Sequence, residues 1–97
     1  MKQLHELKIL RRFADDILAG KKTWEIRYND RDFKVGDVIH FRVFEPVGCY
    51  YQDHEITRRL YEIAYMLDEM DFRGIEYGYV VFTIREIEIG GDDERPD

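Results

Sequence analysis

The sequence predicts a mostly β (α+β) fold, a small barrel of about five to six strands with one short capping helix after strand 1. Three observations predict it. Residues 5–10, 23–28, 38–45 and 79–89 read as strands, by alternation or by β-branched and aromatic content. One amphipathic segment, residues 11–19, has helical spacing. Turn formers separate the strands, and a single intervening helix does not suit a doubly wound parallel sheet. The expected arrangement is a short helix beside a run of antiparallel strands.

In chain order, HELKIL at residues 5–10 places His5, Leu7 and Ile9 on one face and Glu6, Lys8 and Leu10 on the other. RRFADDILA at 11–19 aligns Phe13, Ile17 and Leu18, with Gly20 positioned to end the helix as its C′ residue. From Thr23 to Tyr28, Trp24, Ile26 and Tyr28 form an apolar face expected to enter the core, while Thr23, Glu25 and Arg27 form a chemical face. NDRD and Val35-Gly36-Asp37 supply turns before the strand VIHFRVFE at 38–45. Pro46 to Tyr51 reads as a loop. Residues 53–68 fit two periods: Ile56, Leu60, Ile63, Ala64 and Leu67 suit a helix, whereas Thr57, Tyr61, Ile63, Tyr65 and Leu67 suit a strand face. The helical pattern is slightly the better. Residues 68–78 form an acidic loop, YVVFTIREIEI at 79–89 is a strand, and 90–97 is expected to be a disordered acidic tail.

Ninety-seven residues make one domain, assigned to 1–89. The lone Cys49 precludes an intramolecular disulfide and suits an inert loop residue better than a nucleophile. With no signal-peptide-like start and no apolar run near the ~20 residues of a membrane span, a cytoplasmic protein without membrane contact is expected. The net charge of −6 argues against a general nucleic-acid coat. Its distribution is uneven: residues 1–36 carry nine Lys or Arg against six Asp or Glu, and residues 37–97 carry six against fifteen. A locally basic first third suits one phosphate-bearing ligand or a short RNA at a defined site. No serine and no Gly-rich phosphate loop occur, which excludes serine hydrolysis and P-loop chemistry. His5, His40 and His54 lack metal-ligand spacing, so neither metal nor cofactor is expected.

The chemistry concentrates in residues 20–37. Lys22 is either a phosphate or base-type lysine or a solvated helix-end cation. Glu25 and Arg27, two apart on a strand, form either a low-value surface ion pair or a site in which Arg27 offers a planar fork and Glu25 accepts from an exocyclic amine. Lys8, Lys21 and Arg31 complete a basic rim, with Asp32 and Lys34 in the adjoining turn. His5 is read as structural rather than as a general base. Tyr50, Tyr51, Tyr77 and Tyr79 are better base-stacking candidates than Trp24.

Gly20-Lys21-Lys22-Thr23-Trp24-Glu25-Ile26-Arg27 matches G-x-K-x-x-E-x-R, and with HELKI, FADDILAGKKTWEIR, DRDFKVGD and GYVVFTI the chain resembles ASCH domains of the PUA-like superfamily. The resemblance is to a small bacterial and phage branch of unassigned function. It implies a PUA-like β-barrel, a strand with a bulge over residues 55–67, and a cleft lined by Lys22, Glu25 and Arg27 that binds RNA or a nucleotide-like ligand. A subgroup of small ASCH proteins is similar to acylcytidine amidohydrolases, in which a Lys, a Thr and a later Glu act. Lys22 and Thr23 match that group's Lys-Thr pair, but Glu25 occupies the place of its catalytic Thr.

The resulting expectation is a binding module for RNA or a modified nucleoside or nucleotide, using Lys8, Lys21, Lys22, Thr23, Glu25, Arg27 and Arg31. Two alternatives stand beside it. One is a small hydrolase, either an acylcytidine-type amidohydrolase or a ribonuclease, with Lys22 and Glu25 as catalytic residues. The other is an accessory protein whose acidic second half docks on a host protein.

Overall fold

The computed structural model describes residues 1–88; the expected tail at 90–97 and the last residue of the strand predicted over 79–89 lie outside them. The elements are β1 (Leu4–Ile9), α1 (Arg11–Leu18), β2 (Trp24–Tyr28), β3 (Val38–Glu45), β4 (Tyr50–Tyr51), a 3₁₀ turn (Glu55–Arg58), β5 (Leu60–Asp68) and β6 (Tyr79–Ile87). They form a six-stranded sheet in the order β1-β3-β5-β6-β2, with β4 paired to β3. The ladder is not closed between β1 and β2. Arginines span that gap instead: Arg27 Nη2 donates to the Lys8 carbonyl at 2.8 Å and Arg31 Nη1 to the Glu6 carbonyl at 3.0 Å.

The predicted mostly β class with one helix holds, with four differences in detail. The β1–β3 pairing is parallel, because α1 and β2 intervene and give the chain room to cross over. The stretch from Pro46 to Tyr51 is a tight turn closed by β4 rather than a loop alone. Residues 55–58 are a 3₁₀ turn, not strand, and the strand starts only at Leu60, with the expected bulge between Ile63 and Tyr65. His54 explains that turn. Its Nδ1 accepts from the Ile56 amide at 3.1 Å while its Nε2 lies 2.7 Å from Asp15 on α1, which fixes the tautomer and pins the turn to the helix.

The fourth difference is the facing of β2. Trp24, Ile26 and Tyr28 were expected in the core, but they are 45%, 53% and 58% exposed, whereas Glu25 is 5% exposed. Cross-strand register supplies the reason. Trp24 lies beside Thr83 and then Tyr65, Ile26 beside Val81 and then Leu67, and Tyr28 beside Tyr79, so the outer face of β2, β6 and β5 carries its own apolar layer. The inward face of β2 meets Lys22, which can neutralise Glu25.

The core proper joins Leu7 and Ile9 of β1, Ala14 and Ile17 of α1, Ile39, Phe41 and Val43 of β3, Tyr61 and Ile63 of β5, and Val80, Phe82 and Ile84 of β6. Complete burial of a side chain such as Phe41 or Ile39 contributes roughly 1.5–3 kcal/mol. The shared face of His5, Leu7 and Ile9 expected from alternation along β1 is the buried one.

Candidate functional site

Gly20 ends α1 as the spacing predicted. With φ of +79°, it lets its own amide reach the Ile17 carbonyl at 3.1 Å and the Lys21 amide reach the Asp16 carbonyl at 2.9 Å. This six-to-one and five-to-two pair of bonds is a Schellman stop, and it turns the chain so that Lys22 folds back over β2. The Lys22 ammonium lies 4.9 Å from the Trp24 ring centroid and 5.4 Å from that of Phe13. It donates to the Trp24 carbonyl at 2.7 Å and to Glu25 Oε2 at 2.5 Å. On the other side of the same carboxylate, Arg27 Nε donates to Oε1 at 3.2 Å.

The three motif residues therefore form one contiguous charged group, largely withdrawn from water. Its hydrogen-bonding capacity is not exhausted. An ammonium has three donors and Lys22 uses two; each carboxylate oxygen of Glu25 accepts one bond and can accept another; Arg27 commits two of five N–H groups. A cavity of about 370 Å³ opens beside it, lined by Glu25, Arg27 and Lys8 on its polar side and by Phe13, Ile26, Tyr28 and Tyr79 on its apolar side. A polar planar group entering that space would meet both unspent donors and unspent acceptors.

Of the residues singled out from sequence, the structure brings together Lys8, Lys22, Glu25, Arg27 and Arg31. Lys21 is exposed beyond them. Thr23 faces a different, smaller cavity of about 170 Å³ with Arg59, Tyr61 and Glu86, and Lys22 lines that cavity rather than the larger one, reaching the larger one only through Glu25. Burial beside the smaller cavity raises the Tyr61 hydroxyl above its ordinary pKa, with the Glu86 charge adding to the effect. Asp32 pairs with Lys34 at 3.1 Å on the surface, and Asn29 rather than Asp32 ties the turn, its side chain accepting from the Phe33 amide at 2.9 Å.

His5 is structural. It is buried against Phe33, with Nε2 donating to Asp37 Oδ2 at 2.8 Å. Asp37 also accepts from the amides of Gln3 and Lys34, both at 3.1 Å. Burial acts to raise the Asp37 carboxyl, but the hydrogen bonds from His5, Gln3 and Lys34 and the His5 charge outweigh it and hold the group below the usual aspartate range. Among the described residues, no group of three or more His, Cys, Asp or Glu side chains could hold a metal ion. Among the same described residues, no helix is long and apolar enough to cross a membrane.

Two side chains near the cleft were not selected from sequence. Arg42 faces outward from β3, and Phe13 closes the apolar wall from α1. Arg42 shares its strand face with His40 and Phe44, an alternation visible in sequence; what the alternation does not convey is that β1 runs alongside and puts Lys8 opposite it.

The geometry defines a small α+β domain with a charged cleft between two sheet edges. A family model described as "Domain of unknown function (DUF3850)" matches residues 4–84, and the chain belongs to that family. Among curated relatives it is similar to the N(4)-acetylcytidine amidohydrolase of Citrobacter koseri, at 43% identity over 49 residues, covering 50% of this chain and 48% of the relative. It is also similar to the protein of the same name from Escherichia coli O1:K1, at 43% identity over 56 residues, covering 57% and 53%. The chain thus matches about half the length of these relatives.

Proposed function

We propose that this chain is an ASCH-type hydrolase that removes the acyl group from the exocyclic amine of an N4-acylated cytidine-type nucleoside bound between β1 and β2. The observation that carries the reading is the withdrawn Lys22–Glu25–Arg27 group, with free donors and acceptors beside a cavity. The relatives' name supports the substrate class, and the G-x-K-x-x-E-x-R pattern supports the ASCH assignment.

Because Glu25 stands where the resembled enzymes have a threonine, the reaction runs without an acyl-enzyme. Glu25 accepts a proton from water as the water oxygen bonds to the acyl carbonyl carbon. Arg27, which lines the cavity with N–H groups uncommitted, stabilises the oxyanion of the tetrahedral intermediate, while Lys22 holds the Glu25 carboxylate in place from the other side. Collapse breaks the bond to N4, and Glu25 returns its proton to that nitrogen, releasing the free exocyclic amine and a carboxylic acid, which loses its remaining proton to solvent. Phe13, Tyr28 and Tyr79 provide the apolar wall against which the pyrimidine rests.

A second reading, a binding module that recognises a modified nucleoside or RNA without cleaving it, is favoured by the absence of that threonine hydroxyl. One experiment separates the two: N4-acetylcytidine is incubated with purified protein and acetate release is followed by proton NMR, alongside amide shift changes. The hydrolase reading predicts acetate and cytidine in equal amounts, with turnover reduced about 10²–10⁴-fold in Glu25→Gln. Shift changes around residues 22–28 with intact substrate would instead establish the binding module. No turnover and no shifts would remove both.

A further inference from the structure

A second cavity, of about 400 Å³, lies on the far side of the Arg27 side chain. Lys8 and Arg27 line both cavities and form the wall between them. The rest of the second cavity is lined by Glu6, Leu7, Arg31, Arg42 and Tyr51. Four cations therefore face one space.

Several features make this a built arrangement. The parallel register sets Lys8 directly beside Arg42, a juxtaposition of like charges that costs stability in a sheet held only by its own pairs. Neither residue is within ion-pair distance of a carboxylate among the described residues. Aromatic faces hold them instead: the Lys8 ammonium lies 4.5 Å from the Phe44 ring centroid and the Arg42 guanidinium 3.8 Å from that of Tyr51. A guanidinium stacked on a ring keeps its N–H edge free for bidentate bonding. Glu6 also lines the space, but its Oε2 is engaged 2.9 Å from His40 Nδ1. Arg27 and Arg31 are oriented by the Lys8 and Glu6 carbonyls.

We propose that this second cavity is a phosphate site, so that the molecule accepted by the cleft is a phosphorylated nucleoside rather than the bare nucleoside. The inference rests on the cleft reading above. The base and its acyl group occupy the side of Glu25, the sugar passes Arg27 and Lys8, and the phosphate lies between Arg42 and Arg31. Arg42 is then the residue that selects phosphorylated over unphosphorylated substrate, although it is remote from the scissile amide.

The test compares N4-acetylcytidine with its 5′-monophosphate, in wild type, Arg42→Gln and Arg42→Lys, at low and high salt. Binding of cytidine, cytidine 5′-monophosphate and a cytidine-containing dinucleotide is measured in parallel by calorimetry. The expected result is a kcat/KM at least tenfold higher for the monophosphate, falling with added salt, with the preference lost in Arg42→Gln and largely kept in Arg42→Lys. Tighter binding of monophosphate or of dinucleotide than of cytidine supports the site either way, the preferred one identifying a free phosphate monoester or a chain phosphodiester as the source. Equal kcat/KM and equal affinity for phosphorylated and unphosphorylated ligands would overturn it, as would an Arg42→Gln variant that weakened both alike. Should neither substrate be hydrolysed, the hydrolase reading fails while the binding comparison still decides the phosphate site.

Discussion

Two carboxylates among the described residues, Asp37 and Glu25, are withdrawn from water and bound to cations or potential cations, yet their surroundings differ in kind. Asp37 accepts three bonds, from His5 and from the Gln3 and Lys34 amides, with core packing around it. Glu25 accepts two, from Lys22 and Arg27, and faces a cavity. The first arrangement closes on itself: it ties β1 to the turn before β3, and little capacity remains for a ligand. The second stays open, with uncommitted N–H groups on Arg27 and accepting capacity on Glu25 beside a cavity that both residues line. Burial and ion pairing alone do not distinguish a site from a fastening; unspent valence beside empty space does.

The contrast can be broken most severely at Asp37. Asp37→Ala leaves the buried His5 ring and two amides without their acceptor, and about 3–5 kcal/mol of stability should be lost in urea denaturation. A loss below ~1 kcal/mol, within the range of surface pairs, would mean that water replaces the carboxylate and that the pair is no fastening.

A smaller effect is expected from pH. Because the folded Asp37 carboxyl is held below the aspartate range, its contribution is fully present above the unfolded value of about 3.9 and is lost as pH falls through the lower folded value. Wild-type stability measured from pH 6 down to pH 2 should therefore fall more than that of Asp37→Asn. Parallel curves for the two proteins would contradict the assignment.

The smallest effect is expected on the outer face of β2. Trp24→Thr should cost about 1 kcal/mol, the loss of a partly exposed ring lying beside the Lys22 ammonium. A loss of several kcal/mol would restore Trp24 to the core and invert the strand.

That strand shows where sequence reasoning stops. Alternation correctly grouped Glu25 with Arg27 and Trp24 with Ile26 and Tyr28, but a period of two says only which residues share a face, not which face looks inward. The choice was made by Lys22, outside the strand, which neutralises Glu25 on the inner side, and by Tyr65, Leu67, Tyr79 and Val81, distant in sequence, which layer against the apolar outer side. By contrast, β1, the Gly20 stop and β3 were legible because each rests on local signals: one buried face, one left-handed glycine, one β-branched run. The 3₁₀ turn at Glu55–Arg58 was not, since four residues fit a helical or a strand period equally and the capping group is a histidine. The candidate site was half legible. Its motif residues lie within eight positions of one another, but Arg42 and Phe13 join them only through strand pairing and helix packing.

The most direct test of the difference between fastening and site is one paired measurement, thermal midpoint and N4-acetylcytidine turnover, on Glu25→Gln and Asp37→Asn. The account predicts that Glu25→Gln melts close to wild type but has lost turnover, while Asp37→Asn melts well below wild type and, held under its midpoint, still turns over. A Glu25→Gln variant that hydrolyses at the wild-type rate, or an Asp37→Asn variant that folds normally and is inactive, would contradict it.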